Sequence, residues 1–216
     1  MAENAPTFPV SLVLSDRPCL IVGGGSVAAR RLRTLLSAAA LCTVVAPTVE
    51  EDIARSRATV CLRPYAQGEA ADYDLVIAAT GDASIDRAVA ADARAAKVLV
   101  NVADDPAHSS FLMPAVARCG SISLAVSSDG TSPALSVWFR NELAGAVEKD
   151  APFLAPILSD MRRALHVQGL TSEGYDWQGF IGDIREIRAE RGDESARQYA
   201  ARVIAQWLTF GRKGAT

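Results

Sequence analysis

Five short apolar runs, separated by helical or turn sequence, restrict the first half of this chain to very few folds. They are "CLIV" (residues 19–22), "TVVA" (43–46), "TVCLR" (59–63), "DLVIAAT" (74–80) and "VLVNVA" (98–103). Each is rich in Val, Ile or Leu with few polar interruptions, the pattern of strands covered on both faces. The helical-period stretch "SVAARRLRTLLSAAA" joins the first two runs. "DASIDRAVAADARAA", opening on Asp82 as a helix N-cap, joins the last two. This alternation predicts right-handed crossovers and a parallel, doubly wound sheet, an α/β fold. "PYAQGEAADY" is too short for a full helix and is expected to be a turn or a helical fragment.

The first run breaks into glycine in "CLIVGGGSVAARR" (residues 19–31). Gly23, Gly25 and Ala28 fit G-x-G-x-x-[GA] between a strand and a helix, the Rossmann-type dinucleotide fingerprint. In that pattern the first glycine permits a tight turn and the second lets backbone approach a pyrophosphate. Small Ala28 then allows close helix–strand packing, and free N–H groups at the helix start meet the phosphate charge. A glycine turn kept only for packing is the alternative. One expected part is missing, because the second strand ends "VVAPT" with no acid on it, and Glu50 and Glu51 lie further on. No arginine flanks Pro47 to take a 2′-phosphate either. Backbone and the Thr48 hydroxyl would then hold the ribose, which slightly favours NAD over NADP.

Beyond Pro106 the pattern changes. "SFLMPAVAR" and "SISLAVSS" read as two strands around Cys119-Gly120, and "SPALSVWFRNELAGAVEKD" as a helix opening at Ser132-Pro133. After residue 150 there are only helical signals, broken by "GLTSEGYDW" and Gly192. The expected division is a dinucleotide-binding domain (1–112), a small β/α element (113–150) and a helical C-terminal domain (151–216).

Composition narrows the function. Half of the 216 residues are hydrophobic and the net charge is −3, which argues against a duplex-binding surface. No apolar run reaches the roughly 18 residues of a membrane span. The N-terminus lacks a signal-peptide pattern, and four scattered cysteines without a C-x-x-C pair suit buried thiols in a reducing cytoplasm. With only His108 and His166 for imidazole ligands, no metal cage is expected.

Ligands of open α/β sheets bind beyond the carboxyl ends of the strands. Those ends carry Thr80-Gly81-Asp82 and Asn101-Val102-Ala103-Asp104-Asp105-Pro106. Asp104 is either an acid/base facing the crevice or, with Asp105, a turn former ahead of Pro106. In "AVSSDGTSPALSVWFR", Ser127, Ser128, Thr131 and Ser132 precede a helix, either as caps or as a polar pocket for an anionic substrate.

The stretches "CLIVGGGSVAARR", "VVAPTVEEDI", "VIAATGDASIDRAV", "NVADDPAHSSFLMPAV" and "LAVSSDGTSPALSVWFRNEL" follow one another as in precorrin-2 dehydrogenases, the siroheme-synthase N-terminal module and its free-standing relatives. The resemblance is close from Phe8 to about Glu148 and weak over the helical tail. It implies NAD-dependent oxidation of precorrin-2 to sirohydrochlorin and, in some members, insertion of ferrous iron, with cobalt handled by relatives. The family's essential aspartate matches Asp104 rather than Asp105, as proton acceptor and in chelation where that occurs. Its cofactor contacts carry over to Gly23, Gly24, Gly25, Ser26 and Val27, to Pro47 and Thr48, and to Thr80. It also implies a homodimer through "SFLMPAVARCGSISLAV" and the following helix.

Two features depart from the family pattern. Gly81 stands where many members have Asp. In addition, 216 residues leave no room for the methyltransferase of bifunctional synthases, so that methylation is expected to fall to another protein. A polycarboxylate tetrapyrrole would need local positive charge on an acidic protein, for which Arg118, Arg140, Arg162 and Arg163 are candidates. The competing reading is an NAD-sensing regulatory domain, which would explain the glycine turn but not the N-V-A-D and S-S-D-G-T-S-P motifs.

Overall fold

In the computed structural model, which describes residues 7–171 and 173–211, the chain forms two compact units. The first comprises Met1–Pro114 and Ser127–Pro133, and the second Ala115–Val126 and Ala134–Thr216.

The first unit is a five-stranded sheet, β1 (Pro18–Val22), β2 (Leu41–Ala46), β3 (Thr59–Leu62), β4 (Leu75–Ala78) and β5 (Leu99–Val102). The strands lie in the order β3-β2-β1-β4-β5 and every pair is parallel. Three helices connect them: α1 (Ser26–Ser37), a short α2 (Glu51–Ala54) and α3 (Ala83–Ala95). The link before β4 holds one 3₁₀ turn, Glu69–Asp72, in keeping with its shortness.

Both faces of the sheet are covered, which is why the strand sequences run apolar without alternation. On one face Cys19, Ile21, Val44, Leu75 and Ile77 pack against Ala28, Leu32 and Leu35 of α1. On the other, Leu20, Val22, Val76, Val100 and Val102 pack against Val89, Ala90 and Ala93 of α3. Small alanines on both helices let them approach the sheet closely. The α3 helix starts where Asp82 accepts hydrogen bonds from the backbone N–H of Ser84 (2.8 Å) and Ile85 (3.4 Å). Cys19 and Cys42 are buried, and burial pushes their thiols up to about 12 and about 11, which keeps them protonated and inert.

The second unit joins a β-hairpin, β6 (Ala115–Cys119) with β7 (Ile122–Val126), to two long helices, α4 (Pro133–Val167) and α5 (Trp177–Gly211). A separate element ending at residue 150 does not emerge, because α4 runs through Pro152 and Pro156. Each proline removes a backbone donor. Packing of Phe153, Ile157, Met161 and Leu165, spaced by four, against Phe180, Ile184, Ala196 and Ala200 of α5 compensates for those losses. Gly192 does break the last helix, with φ 83° and ψ 174°.

Ile77 is fully buried on β4, between β1 and β5. Ile77→Ala should destabilise the first unit by about 2–5 kcal/mol, read as a lower urea midpoint.

Candidate functional site

A cavity of about 1090 Å³ opens at the carboxyl ends of the central strands. Gly23, Gly24 and Gly25 form one wall, and Pro47, Thr48 and Glu50 another. Thr80, Asp82 and Ser84 lie beyond β4, and Tyr65 and Asp92 also line it.

The three glycines play different parts. Gly23 has φ 128°, and a β-carbon on it would stand 2.1 Å from the carbonyl oxygen of Ala79. One on Gly24 would stand 1.9 Å from the Thr48 carbonyl oxygen, whereas one on Gly25 would meet nothing within 4 Å. The first two are closed by neighbouring backbone, and the third faces open space. Gly25 is the N-cap of α1 and offers no side chain to the helix N–H groups, so these remain for a ligand.

At the far side, the Tyr65 hydroxyl donates to Asp92 (3.0 Å), and the Gly68 N–H donates to the same carboxylate oxygen (2.7 Å). Burial, with the Asp92 contact, pushes the Tyr65 phenol up to about 12. Thr80 is held from below by Asp86, a buried carboxylate that accepts from its N–H (3.1 Å) and its hydroxyl (2.8 Å). The Asp82 N–H donates to the Thr80 oxygen (3.0 Å). The Thr80 side chain thus shapes the turn as well as facing the cavity. Ser26 and Val27 begin α1 but do not line the cavity, and Val27 packs into the core instead.

Asp104 follows β5 in a turn closed by the Asp105 N–H donating to the Val102 carbonyl (3.2 Å). The register pairs Ala78 with Val102, so this turn stands beside the β4 end that leads to Thr80. The two neighbouring carboxylates differ. Asp105 accepts from the His108 backbone (3.2 Å) and ring Nδ1 (2.7 Å), and these bonds hold its carboxyl below the usual range. Asp104 is exposed, has φ 60° and makes no hydrogen bond or ion pair among the described residues. Asp105 therefore makes the turn, and Asp104 presents a carboxylate to solvent.

The serine-rich loop belongs to the same unit. A β-carbon on Gly130 would meet Leu112 at 3.7 Å and Pro106 at 3.9 Å, which brings the loop to the segment after Asp104. Within it the Ser132 N–H donates to the Ser128 hydroxyl (3.0 Å) and the Thr131 N–H to the Ser128 carbonyl (2.8 Å). Ser128 thus closes the turn that leads into α4, and Thr131 is exposed. Arg118 on β6 is exposed, and Arg140 on α4 donates to the Val116 carbonyl (3.3 Å), both in the second unit. In that unit Arg163 is paired with Asp160 (2.9 Å) and Arg162 is exposed. Among the described residues, no three His, Cys, Asp or Glu side chains gather as a metal site. None of the described helices is long and apolar enough to cross a membrane.

Several cavity residues were not singled out from the sequence. Glu50 was passed over because it stands four residues beyond β2, yet the chain turns it back into the lining. Tyr65 and Asp92 gave no motif, nor did Asp86, which supports Thr80 without lining the cavity, although an acid in the first turn of a helix, as Asp86 is, was a visible signal.

A family model described as "Putative NAD(P)-binding" matches residues 10–115. Among curated proteins the chain is similar to siroheme synthases. It is 35% identical over 210 residues to that of Methylobacillus flagellatus, covering 95% of this chain and 44% of the relative. It is 38% identical over 195 residues to that of Chromobacterium violaceum, covering 88% and 42%. Among solved structures it is similar to "SirC, precorrin-2 dehydrogenase", with a TM-score of 0.68 and 25% identity over 93% of this chain and all of that one. The chain belongs to the precorrin-2 dehydrogenase family. It spans less than half the length of the siroheme synthases it matches. The match gives the cavity its ligand class, a nicotinamide dinucleotide.

The glycine geometry separates folding from binding. Gly24→Ala should lower the thermal midpoint, because the Thr48 backbone cannot give way. Gly25→Ala should fold with an unchanged midpoint, yet bind dinucleotide at least about tenfold more weakly in calorimetric titration, a loss of ~1.4 kcal/mol.

Proposed function

We propose that this protein oxidises precorrin-2 to sirohydrochlorin with NAD, Asp104 taking the proton. The observation that carries the reading is an exposed, unpartnered carboxylate on the strand end beside the one that leads into the dinucleotide cavity.

The residues present fit the cofactor. The cavity is large enough for a dinucleotide, the space outside Gly25 is open, and the start of α1 offers uncapped N–H groups to a pyrophosphate. Bound NAD supplies a two-electron hydride acceptor. The chain's own residues do the rest. Gly23, Gly24 and Gly25 set the backbone against the phosphates, and Pro47 and Thr48 bound the ribose. Thr80, braced by Asp86, fixes the turn at the nicotinamide end. Oxidation removes a hydride and a proton from the tetrapyrrole. Asp104 accepts that proton and, being exposed, passes it to water. Ser128, Thr131 and Ser132 bind the substrate's polar edge.

The charged groups lining the cavity favour NAD over NADP. Glu50, Asp82 and Asp92 are the charged side chains among its described lining, with no Lys or Arg, so a 2′-phosphate would face carboxylates. The second unit supports a homodimer. Leu135, Trp138, Phe139 and Leu143 recur along one face of α4 and are between 44% and 54% exposed.

An anaerobic assay with enzymatically generated precorrin-2 tests the reaction, with sirohydrochlorin followed by absorbance. Asp104→Asn should cut turnover by about 10²–10⁴-fold while NAD affinity and the thermal midpoint stay unchanged. Turnover indifferent to this substitution would remove Asp104 from the mechanism. Absence of oxidation by folded, NAD-binding protein would instead favour a sensor. Adding ferrous or cobaltous ion after oxidation reads metal insertion separately. In the same assay kcat/KM with NAD should exceed that with NADP by at least about tenfold. Equal values would overturn the role given to the acidic lining.

A further inference from the structure

Arg31 is a half-buried cation that the dinucleotide cavity does not use. On α1 it stands one turn after Val27 and one turn before Leu35. Residues spaced by four share a helix face. Val27 and Leu35 both pack into the apolar layer that also takes Ala103, Phe111 and Met113. That layer leads directly to the Asp104 turn, since Ala103 is the residue before it.

The Nε of Arg31 is buried and has no hydrogen-bond partner among the described residues. An ionised donor shut away from water without an acceptor is costly, and native structures retain one only for a reason. Burial, with Arg30 alongside, pulls the guanidinium below its ordinary value, and the Asp104 carboxylate pulls it back up. The two charges therefore sense each other without forming an ion pair. A second unpaired atom lies in the same layer. Asn101 on β5 is buried and its Nδ2 donates to the Phe111 carbonyl (3.0 Å), while its Oδ1 has no partner.

We propose that Arg31 is a substrate-anchoring residue, its guanidinium taking one carboxylate side chain of the tetrapyrrole and so fixing the macrocycle edge beside Asp104. This rests on the precorrin-2 dehydrogenase reading. Nε and Nη together form the planar fork that matches a carboxylate bidentately, and the buried Nε is the half of that fork without an acceptor. A polycarboxylate substrate supplies the missing acceptor. Because Arg31 does not line the dinucleotide cavity, its removal should leave the cofactor untouched.

Arg31→Met keeps the length of the stem and removes the charge. A half-buried guanidinium whose buried Nε has no acceptor contributes little to the fold, so the thermal midpoint of the apo protein should stay level or rise. NAD affinity should not change. The KM for precorrin-2 should rise by roughly 10- to 100-fold, the worth of a charge-assisted hydrogen bond, with kcat altered by less than about threefold. Arg31→Lys should recover only part of that loss.

Binding of uroporphyrin, a stable porphyrin with only carboxylate side chains, gives a readout independent of turnover. Fluorescence quenching should show the same loss of affinity in Arg31→Met. Unchanged KM and unchanged porphyrin affinity would overturn the anchor. A lowered midpoint with weakened NAD binding would make Arg31 a structural residue and overturn it equally. Should wild-type protein bind the porphyrin yet fail to oxidise precorrin-2, the dehydrogenase reading falls, and the anchor is judged on the porphyrin titration alone.

Discussion

A β-carbon on Gly23 would stand 2.1 Å from the Ala79 carbonyl oxygen, and one on Gly24 1.9 Å from that of Thr48. Both obstacles are backbone, so no rotamer change could relieve them. The two missing side chains therefore let the end of β1 lie against the ends of β4 and β2 at once. Hydrogen bonds follow the same geometry, the Gly23 N–H donating to Val45 (3.0 Å) and the Ala79 N–H to Val22 (2.8 Å). Once these three strand ends are fixed, the start of α1 is fixed with them. The helix N–H groups then face the cavity, and one turn further the helix carries Arg31 towards the Asp104 side. The cofactor cavity and the proposed substrate anchor depend on a single backbone junction.

An acidic cavity that accepts a diphosphate needs explanation, and the hydrogen bonds supply it. Asp82 is committed to the α3 N-terminus, and Asp92 to the Tyr65 hydroxyl and the Gly68 N–H. Two of the three lining carboxylates are thus turned to the protein's own donors. Glu50 has no such commitment among the described residues, and a lone carboxylate suits ribose hydroxyls better than a further phosphate. The diphosphate is met by backbone dipoles at the helix start, which carry no counter-charge to be repelled. In the proposed NAD reading, discrimination at the ribose and attraction at the diphosphate are separated in space.

The first unit was legible because its physical signals are local. Strands covered on both faces read as unbroken apolar runs, and the five expected runs match β1 to β5 with only their ends shifted. The second unit was less so. Pro152 and Pro156 argue locally for a break, and only the packing of Phe153, Ile157, Met161 and Leu165 on α5, a long-range effect, carries α4 past them. The site shows the same division. Glycine spacing is a local signal, whereas Glu50 is brought to the cavity by the fold of the chain after β2. Arg31 lay in between. A cation interrupting the Val27–Leu35 stripe of an otherwise apolar helix face was visible in the sequence, but its meaning needed the Asp104 turn beside it.

Asp104 and Asp105 look equivalent in sequence, and backbone strain separates them. Ala39 and Lys97 also have positive φ, but each follows a helix whose end is closed by hydrogen bonds, from Ala40 to Leu35 and from Val98 to Ala93. Their strain, on the order of 1 kcal/mol, is offset by satisfied helix carbonyls. Asp104 occupies the third position of a four-residue turn, where a positive φ favours glycine. Glycine there would relax the backbone and cost no hydrogen bond or ion pair among the described residues, since the Asp104 side chain makes none. Asp105 already supplies the turn's side-chain hydrogen bonds through His108. A strained residue whose side chain does nothing for the fold is best accounted for by what that side chain does outside it. The strain is the cost of holding a carboxylate, rather than a hydrogen atom, at a turn that follows the strand end paired with β4, where the β4 end leads into the dinucleotide cavity.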